Sequence, residues 1–333
     1  MAVSIKDIAR LAGVSHSTVS RALRNSPLIP PATAQRIQLI AKEAGYTASA
    51  VARSLVMRKT EAIGVVVTSI ADPFNGEVVA GIEEVANRNE YSVILATSQT
   101  DPEREMTVVR SFQARRVDGI LVASSRVGAL YVPLLSELKI PIVLLNNQHP
   151  SEFVHSVSID NVAGAYDATQ HLIQLGHRRI AYVGDRSGLH SDAERFAGYE
   201  KALVEAGLPV HSELIMRGDG KPGGGIQAVN TFLDLADRPT AIFCYNDMTA
   251  LGVFRTAINR GLKVPDDLSI VGFDDLYFTS FVEPPLTTVH QPKREMGARA
   301  MELLLALLRG EEAERTVTIK GKLVVRKSTA AVR

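Results

Sequence analysis

Cysteine is almost absent from this chain. One residue in 333, Cys244, carries a thiol, so no disulfide can form within the chain. Cys244 ends the apolar run Ala241-Ile242-Phe243-Cys244, where a small buried side chain is expected rather than a reactive thiol. Long hydrophobic runs are missing too: nothing approaches the ~18 apolar residues of a membrane span. The stretch Met1 to Asp7 has no cationic segment followed by an apolar one, so no signal peptide is read. A cytosolic location without a membrane partner is expected. Metal-ligand spacing is absent among the Cys and His residues, and His149, His155, His171, His177 and His211 read as surface or turn residues. Gly218-Asp219-Gly220-Lys221-Pro222-Gly223-Gly224-Gly225 resembles a phosphate loop but lacks its Gly-Lys-Ser/Thr ending. It reads as a flexible loop leading into a helix that contains Ile226 to Leu233. No nucleophile–base constellation stands out. Neither a metal, a cofactor nor enzymatic chemistry is therefore expected.

What is present is a composition of ordinary globular type, 46% hydrophobic and 22% charged, on a chain long enough for two or three compact units. The net charge of +1 is unevenly spread. Residues 1–60 hold nine basic and two acidic side chains, while the remainder holds 28 basic and 34 acidic. A basic head on a mildly acidic body points to a polyanionic partner. Many solvated helices are also basic, so the local sequence must decide.

That local sequence reads as three short helices. Ile5, Ile8, Ala9 and Ala12 recur at helical spacing behind Ser4 as N-cap, with Asp7 three residues on. Gly13 stops the first helix. Ser15 caps a second, from His16 to about Arg24, with Val14, Val19 and Leu23 turned inward. Pro31 suits the first turn of a third, which runs to Ala44 and stops at Gly45. Two helices about a glycine turn make a helix-turn-helix, although a generic three-helix unit would share that outline. The polar start of the second helix, His16-Ser17-Thr18 with Arg21 one turn on, suits insertion into a major groove.

Ile5-Lys6-Asp7-Ile8-Ala9-Arg10-Leu11-Ala12-Gly13-Val14-Ser15, then Thr18-Val19-Ser20-Arg21-Ala22-Leu23, resembles the head of the lactose-repressor/galactose-repressor (LacI/GalR) family. The likeness continues through Ile40 to Tyr46 and Ala50 to Leu55. It implies double-stranded operator DNA as partner. His16, Ser17 and Arg21 would then read bases, with Arg21 on a guanine edge, and Ser15, Thr18, Ser20 and Thr33 would hold phosphates. Capping or plain exposure is the alternative for Ser20 and Thr33. Residues 46–60 correspond to a hinge, in which Leu55 would wedge into the minor groove. Ala48-Ser49 stands where the family usually has Pro-Asn; Ser49 can still cap. Pro30 replaces a common capping Ser, and Arg24 a common Asn.

From Glu61 onward, β-rich runs alternate with helical patterns. Strands are expected at 62–67, 91–96, 119–123, 141–145, 179–183, 241–244 and 268–273. Helices are expected at 75–89, 103–114, 163–175 and 193–206, with another between 123 and 141. The alternation implies parallel sheets covered by helices, in two series. Polar residues gather at the strand ends, where such sheets bind ligands: Asp72, Phe74 and Asn75; Ser124 and Ser125; Asn146 and Asn147; Asn246 and Asp247; Asp274 and Asp275. Turn-making and helix capping are their ordinary alternative uses.

The resemblance extends here through Asp72-Pro73-Phe74, Leu175-Gly176-His177-Arg178-Arg179-Ile180-Ala181, Asn246-Asp247, Val271-Gly272-Phe273-Asp274-Asp275, Pro285 to Val289 and Gln291-Pro292. It implies an α/β fold: an all-α helix-turn-helix head over 1–45, a hinge over 46–60, and a two-lobed periplasmic-binding-protein-like body over 61–333. Lobe 1 would take about 61–160 and 292–320, and lobe 2 about 161–291 and 321–333. The implied effector set is Asp72, Phe74, Asn147, Asp160, Arg195, Asn246, Asp274 and Gln291, for a sugar or sugar derivative. His190 and Ser191 fall in a loop without an assigned role. The tail after Lys322 has no heptads, so a homodimer is expected rather than a tetramer. A ligand-responsive repressor is thus expected. A solute-binding module for sugar transport is the alternative, and the basic head opposes it.

Overall fold

The computed structural model describes residues 3–46, 59–125, 140–147 and 155–332. Residues up to Glu61 and residues from Ala62 onward form two compact units. The expectations placed on Ala48, Ser49, Leu55 and His149, and on a helix between 123 and 141, lie outside the described residues.

In the first unit, Ser4 and Asp7 cap α1 (Ile5–Ala12) reciprocally: Asp7 N–H donates to Ser4 Oγ and Ser4 N–H to Asp7 Oδ2. Gly13 ends the helix at φ +65°, a left-handed conformation that favours glycine. Ser15 caps α2 (His16–Leu23) through the Thr18 amide, and Pro31 opens α3 (Pro31–Glu43). Ile8, Val19 and Ile37 are fully buried where the three helices meet. Each contributes roughly 1.5–3 kcal/mol of burial, enough to fix which face of α2 stays outside.

The second unit contains two six-stranded sheets. The first sheet has the order β11-β5-β4-β3-β1-β2 and is parallel throughout. Its strands are β1 (Ala62–Val67), β2 (Ser92–Thr97), β3 (Gly119–Ala123), β4 (Ile142–Leu145), β5 (Ser156–Ile159) and β11 (Thr316–Ile319). The second sheet has the order β12-β10-β9-β8-β6-β7. It comprises β6 (Ile180–Asp185), β7 (Ile215–Gly218), β8 (Ala241–Cys244), β9 (Ser269–Asp274), β10 (Thr287–His290) and β12 (Lys322–Val324). Only β12 runs antiparallel there. The chain passes from one sheet to the other after β5, after β10 and after β11.

Helices cover both faces of each sheet, which is why β1, β3 and β8 are near-continuous apolar runs. In lobe 1, α4 (Pro73–Arg88) and α10 (Lys293–Arg309) pack over Val65, Leu121 and Val143, while α5 (Pro102–Ala114) covers Val66 and Ile120. In lobe 2, α8 (Pro222–Leu233) and α9 (Asp247–Asn259) lie on one face, and α6 (Asn161–Gln174) and α7 (His190–Glu205) on the other.

Three sequence expectations need correction. The glycine-rich stretch is not a loop throughout: α8 begins at Pro222, and a Cβ on Gly225 would stand 2.2 Å from the Thr249 carbonyl oxygen. The glycines let α8 approach α9. His177 is not a surface residue. It is 3% exposed, with Nδ1 2.8 Å from Thr240 Oγ1 and Nε2 3.1 Å from both Ser269 Oγ and the Ala330 carbonyl oxygen. His190 and Ser191 belong to the first turn of α7 rather than to a loop. Cys244 is buried as expected, and burial pushes its thiol well above the usual range.

Candidate functional site

Two surfaces carry the candidate functional side chains, one in each unit. In the first unit, burial of Val19 and Ala22 leaves the opposite face of α2 outward. His16, Ser17 and Arg21 are exposed on it, with Ser20 half-buried. Ser15 Oγ lies 2.8 Å from Ser17 Oγ and 2.9 Å from Thr18 Oγ1, so three hydroxyls cluster at the helix start. Thr33 is half-buried in the first turn of α3. Short donors, a helix amino terminus and an arginine together suit phosphates and base edges.

In the second unit, the strand order fixes where a ligand can enter. Connections from β1 and β3 leave in opposite directions, as do those from β6 and β8, so a crevice opens beyond the carboxyl ends of each sheet. The two crevices form one cleft of about 720 Å³. Its lobe 1 wall includes Ser69, Asp72 and Phe74 after β1, Ser124 after β3 and Asn146 after β4. The facing wall carries Asp185, Arg195, Tyr245, Asn246 and Asp274, with Gln291 at a crossing.

Each wall is held by its own hydrogen bonds. Asp72 caps α4, its Oδ1 accepting from Phe74 N–H at 3.0 Å, and burial raises its carboxyl above the usual range. Asn246 caps α9 by accepting from Thr249 N–H at 2.8 Å, and its Nδ2 donates to the Gly220 carbonyl at 2.9 Å. Gln291 Nε2 donates to Asp274 Oδ1 at 2.6 Å. Arg195 Nη1 stands 3.8 Å from the same oxygen and donates to the Tyr245 carbonyl at 2.5 Å, while its Nε donates to Asn161 Oδ1 at 2.9 Å. Its guanidinium rests 3.8 Å from the Phe273 ring centroid. Burial pushes the Asp274 carboxyl up to about 7; Arg195 opposes this and the nearby Asp72 charge adds to it. Near neutrality, Asp274 can therefore accept from a ligand hydroxyl or donate to a ligand oxygen.

Six of the eight residues expected at the effector site, Asp72, Phe74, Arg195, Asn246, Asp274 and Gln291, line this cleft. Asn147 does not; it faces a small adjoining recess with Ser158, Asn161 and Glu194. Asp160 lines neither; its Oδ1 caps α6, accepting from the Ala163 amide at 2.9 Å. The strand-end doublets divide their work. Ser124, Asn146, Asn246 and Asp274 reach the cleft, whereas Asp247 accepts from Leu276 N–H at 2.8 Å and Thr288 Oγ1 at 2.6 Å. Asp275 likewise pairs with Arg326 and His290. Tyr245 was missed in sequence. It directly follows β8, so the strand-end rule could have found it.

No helix among the described residues is long and apolar enough to cross a membrane. Residues 4–49 match the model for bacterial regulatory proteins of the lacI family, and residues 169–329 match the periplasmic binding protein-like domain. The transcriptional repressor PurR of Photobacterium profundum is 36% identical over 327 residues, which is 98% of each chain. Catabolite control protein A of Priestia megaterium is 37% identical over 331 residues, 99% of this chain and all of that one. Among solved structures, a lac repressor dimer bound to operator and the anti-inducer ONPF has a TM-score of 0.91 at 28% identity, covering 99% of this chain and 100% of that one. With its two-part fold and full-length relatives, the chain belongs to the lacI family of bacterial regulatory proteins and is a DNA-binding transcriptional repressor.

Proposed function

We propose that this repressor holds a near-palindromic operator as a homodimer, and that a sugar or sugar derivative in the interlobe cleft controls it. The carrying observation is the pairing of Asp72 and Phe74 on one wall with Arg195, Asn246 and Asp274 on the other. Hydrogen-bonding groups on both walls, with the rings of Phe74 and Tyr245, suit a ligand with many hydroxyls and an apolar face. Gln291 Oε1, buried with no protein partner, offers one more acceptor. Similar solved structures include a CelR–cellobiose complex, 30% identical at TM-score 0.75, and a LacI family regulator from Enterococcus faecium with bound ribose, 29% identical at the same score. The proposed contact set is Asp72, Phe74, Arg195, Asn246, Asp274 and Gln291; Asp160 serves as a helix cap and Asn147 borders the cleft. Residues 1–45 act as the DNA-binding head, 46–60 as the hinge and 61–333 as the effector-binding body. Within the head, His16, Ser17 and Arg21 read bases, Ser15, Thr18, Ser20 and Thr33 hold phosphates, and Leu55 of the hinge wedges the minor groove. Exposed Tyr277 and Phe281 in lobe 2 support a dimer face, as does the dimeric state of the lac repressor structure.

A thermal-shift panel of pentoses, hexoses, cellobiose, nucleosides and amino acids tests the ligand class. A sugar at a hundred times its Kd should add about 2.7 kcal/mol of stability. Asp274→Ala should remove the shift. Stabilisation by nucleosides or amino acids alone would end the sugar reading.

A further inference from the structure

The backbone that presents Asp274 is strained. Asp274 has φ +122° and Asp275 φ +54°, two consecutive non-glycine residues in a region that favours glycine. Such a corner persists only where its surroundings hold it. Two different lobes do so. From lobe 2, Arg326 Nη2 donates to Asp275 Oδ1 at 2.6 Å, and His290 Nδ1 lies 2.9 Å from Asp275 Oδ2. From the amino terminus of α10, which packs in lobe 1, Lys293 Nζ donates to the Asp274 carbonyl at 2.6 Å and the Asp275 carbonyl at 2.9 Å. The Gln291 carbonyl lies at 3.4 Å.

Lys293 is 1% exposed, and an ammonium so buried needs every donor satisfied. The Asp274 carboxyl feels the charge of Lys293, and on the lobe 1 side Glu77 Oε1 stands 3.7 Å from its Nζ. Glu77 sits on α4, three residues beyond Phe74, in the helix that Asp72 caps. α4 and α10 form a stiff pair. A Cβ on Gly81 would stand 2.0 Å from the Arg294 carbonyl oxygen, and one on Gly297 would stand 2.0 Å from that of Val78. Backbone meets backbone there, which leaves little play between the helices.

We propose that Lys293 is a positioning residue that ties the Asp274 corner of lobe 2 to α4 of lobe 1, so that the two cleft walls move as a linked pair. A ligand bonded to the Asp274 carboxylate shifts the corner. The corner's carbonyls carry the Lys293 ammonium with them, and Glu77 passes the shift to the helix bearing Asp72 and Phe74. This role rests on reading the cleft as the effector site.

The test is hydrogen–deuterium exchange on the full chain without ligand. Lys293→Met keeps the side-chain length and removes the charge. Exchange should quicken roughly ten- to hundredfold, the factor carried by one charge-assisted hydrogen bond. It should do so in two places, around residues 275–276 and 291 and in the first turns of α4, while β3 and β8 stay protected. Glu77→Gln, at a half-exposed position, should quicken both places by a smaller factor. A local cap would give a different pattern: faster exchange at 275–276 and 291 with α4 as in the wild type, and no change at the corner in Glu77→Gln. Either result overturns the proposal. Should Lys293→Met lose protection throughout, the corner's response in Glu77→Gln decides alone. No ligand enters the measurement, so it can fail while the sugar panel succeeds, or succeed while no sugar binds.

Discussion

Asp72 and Asp274 belong to opposite walls of the cleft, yet the charge on Asp72 raises the pKa of Asp274. Burial raises both carboxyls above the ordinary aspartate range, Asp274 to about 7. Across roughly pH 4–7, the folded chain keeps a proton on Asp274 that the unfolded chain has released. Native protein then binds more protons, so this group's contribution to stability falls as pH rises through that window. Asp274→Asn should flatten that part of the stability-against-pH curve, read by denaturant titration at pH 5, 6 and 7. Ligand hydroxyls that donate to the Asp274 carboxylate should make binding weaken below pH 7, with proton release in calorimetry at pH 6. No release at pH 6, with proton uptake at pH 8, would mean that Asp274 binds as a neutral donor.

Within α4, two glycines should respond oppositely to the same change. Gly76 has nothing within 4 Å of an added Cβ, whereas Gly81 meets the Arg294 carbonyl oxygen at 2.0 Å. Gly76→Ala should stabilise the body by about 0.5–1 kcal/mol, the usual penalty of glycine in a helix. Gly81→Ala should cost about 1–3 kcal/mol by overpacking, because backbone cannot yield as a side chain can. Thermal unfolding of both variants checks this. Equal shifts of one sign would show that helix propensity, not the α4–α10 contact, governs the site.

Local chemistry explains what could be read from sequence. Ser4, Gly13, Ser15 and Pro31 act on their immediate neighbours, and each sits where its own capping or turn preference places it. Strands such as Ala62–Val67 are buried on both faces and announce themselves as apolar runs. β5 went unread because Ser156-Val-Ser-Ile is short and half polar; its place between β4 and β11 is a tertiary fact. His177 looked like a turn residue because its partners Thr240, Ser269 and Ala330 lie 63 to 153 positions away. For the cleft, strand ends were legible, but the choice within a doublet was not. Asn246 and Asp247 are adjacent and equally polar, and only the packing of α9 against β9 and β10 turns Asp247 inward. Asp160, carried over by likeness, caps α6 and lines neither the cleft nor the adjoining recess, whereas Asp72 and Asn246 cap helices and still reach the cleft.

Arg21 stands exposed on α2 beside His16 and Ser17. Arg21→Ala should weaken operator binding by about 1–3 kcal/mol per half-site and relax preference at one base pair. Random-sequence DNA should lose much less, since the phosphate contacts proposed for Ser15, Thr18, Ser20 and Thr33 would remain. Fluorescence anisotropy with both duplexes separates the terms. Equal losses on both would reassign Arg21 to the phosphates.

Coupling between ligand and DNA makes the last prediction. By sequence, a helix over Ala50 to Leu55 would have only about two turns, too few to be stable alone. If residues 46–60 act as the proposed hinge, the order of that helix on DNA would depend on the body that follows it. Allosteric coupling is a free energy shared by the linked sites. With one cleft in each protomer of the proposed dimer, saturating effector should therefore change operator affinity by the square of the factor by which operator DNA changes the affinity of each cleft. Two variants cut the link at its two ends. Asp274→Ala should remove the ligand response while ligand-free operator binding stays close to wild type. Leu55→Ala should weaken operator binding while the body still takes its ligand with unchanged affinity. Calorimetry with the ligand, and anisotropy with the operator, on both variants gives all four affinities. Normal ligand response in Asp274→Ala would remove the Asp274 corner from the pathway. Unchanged operator binding in Leu55→Ala would remove the wedge. A departure from that square in the wild type would mean that the two clefts act unequally or that ligand also binds outside them.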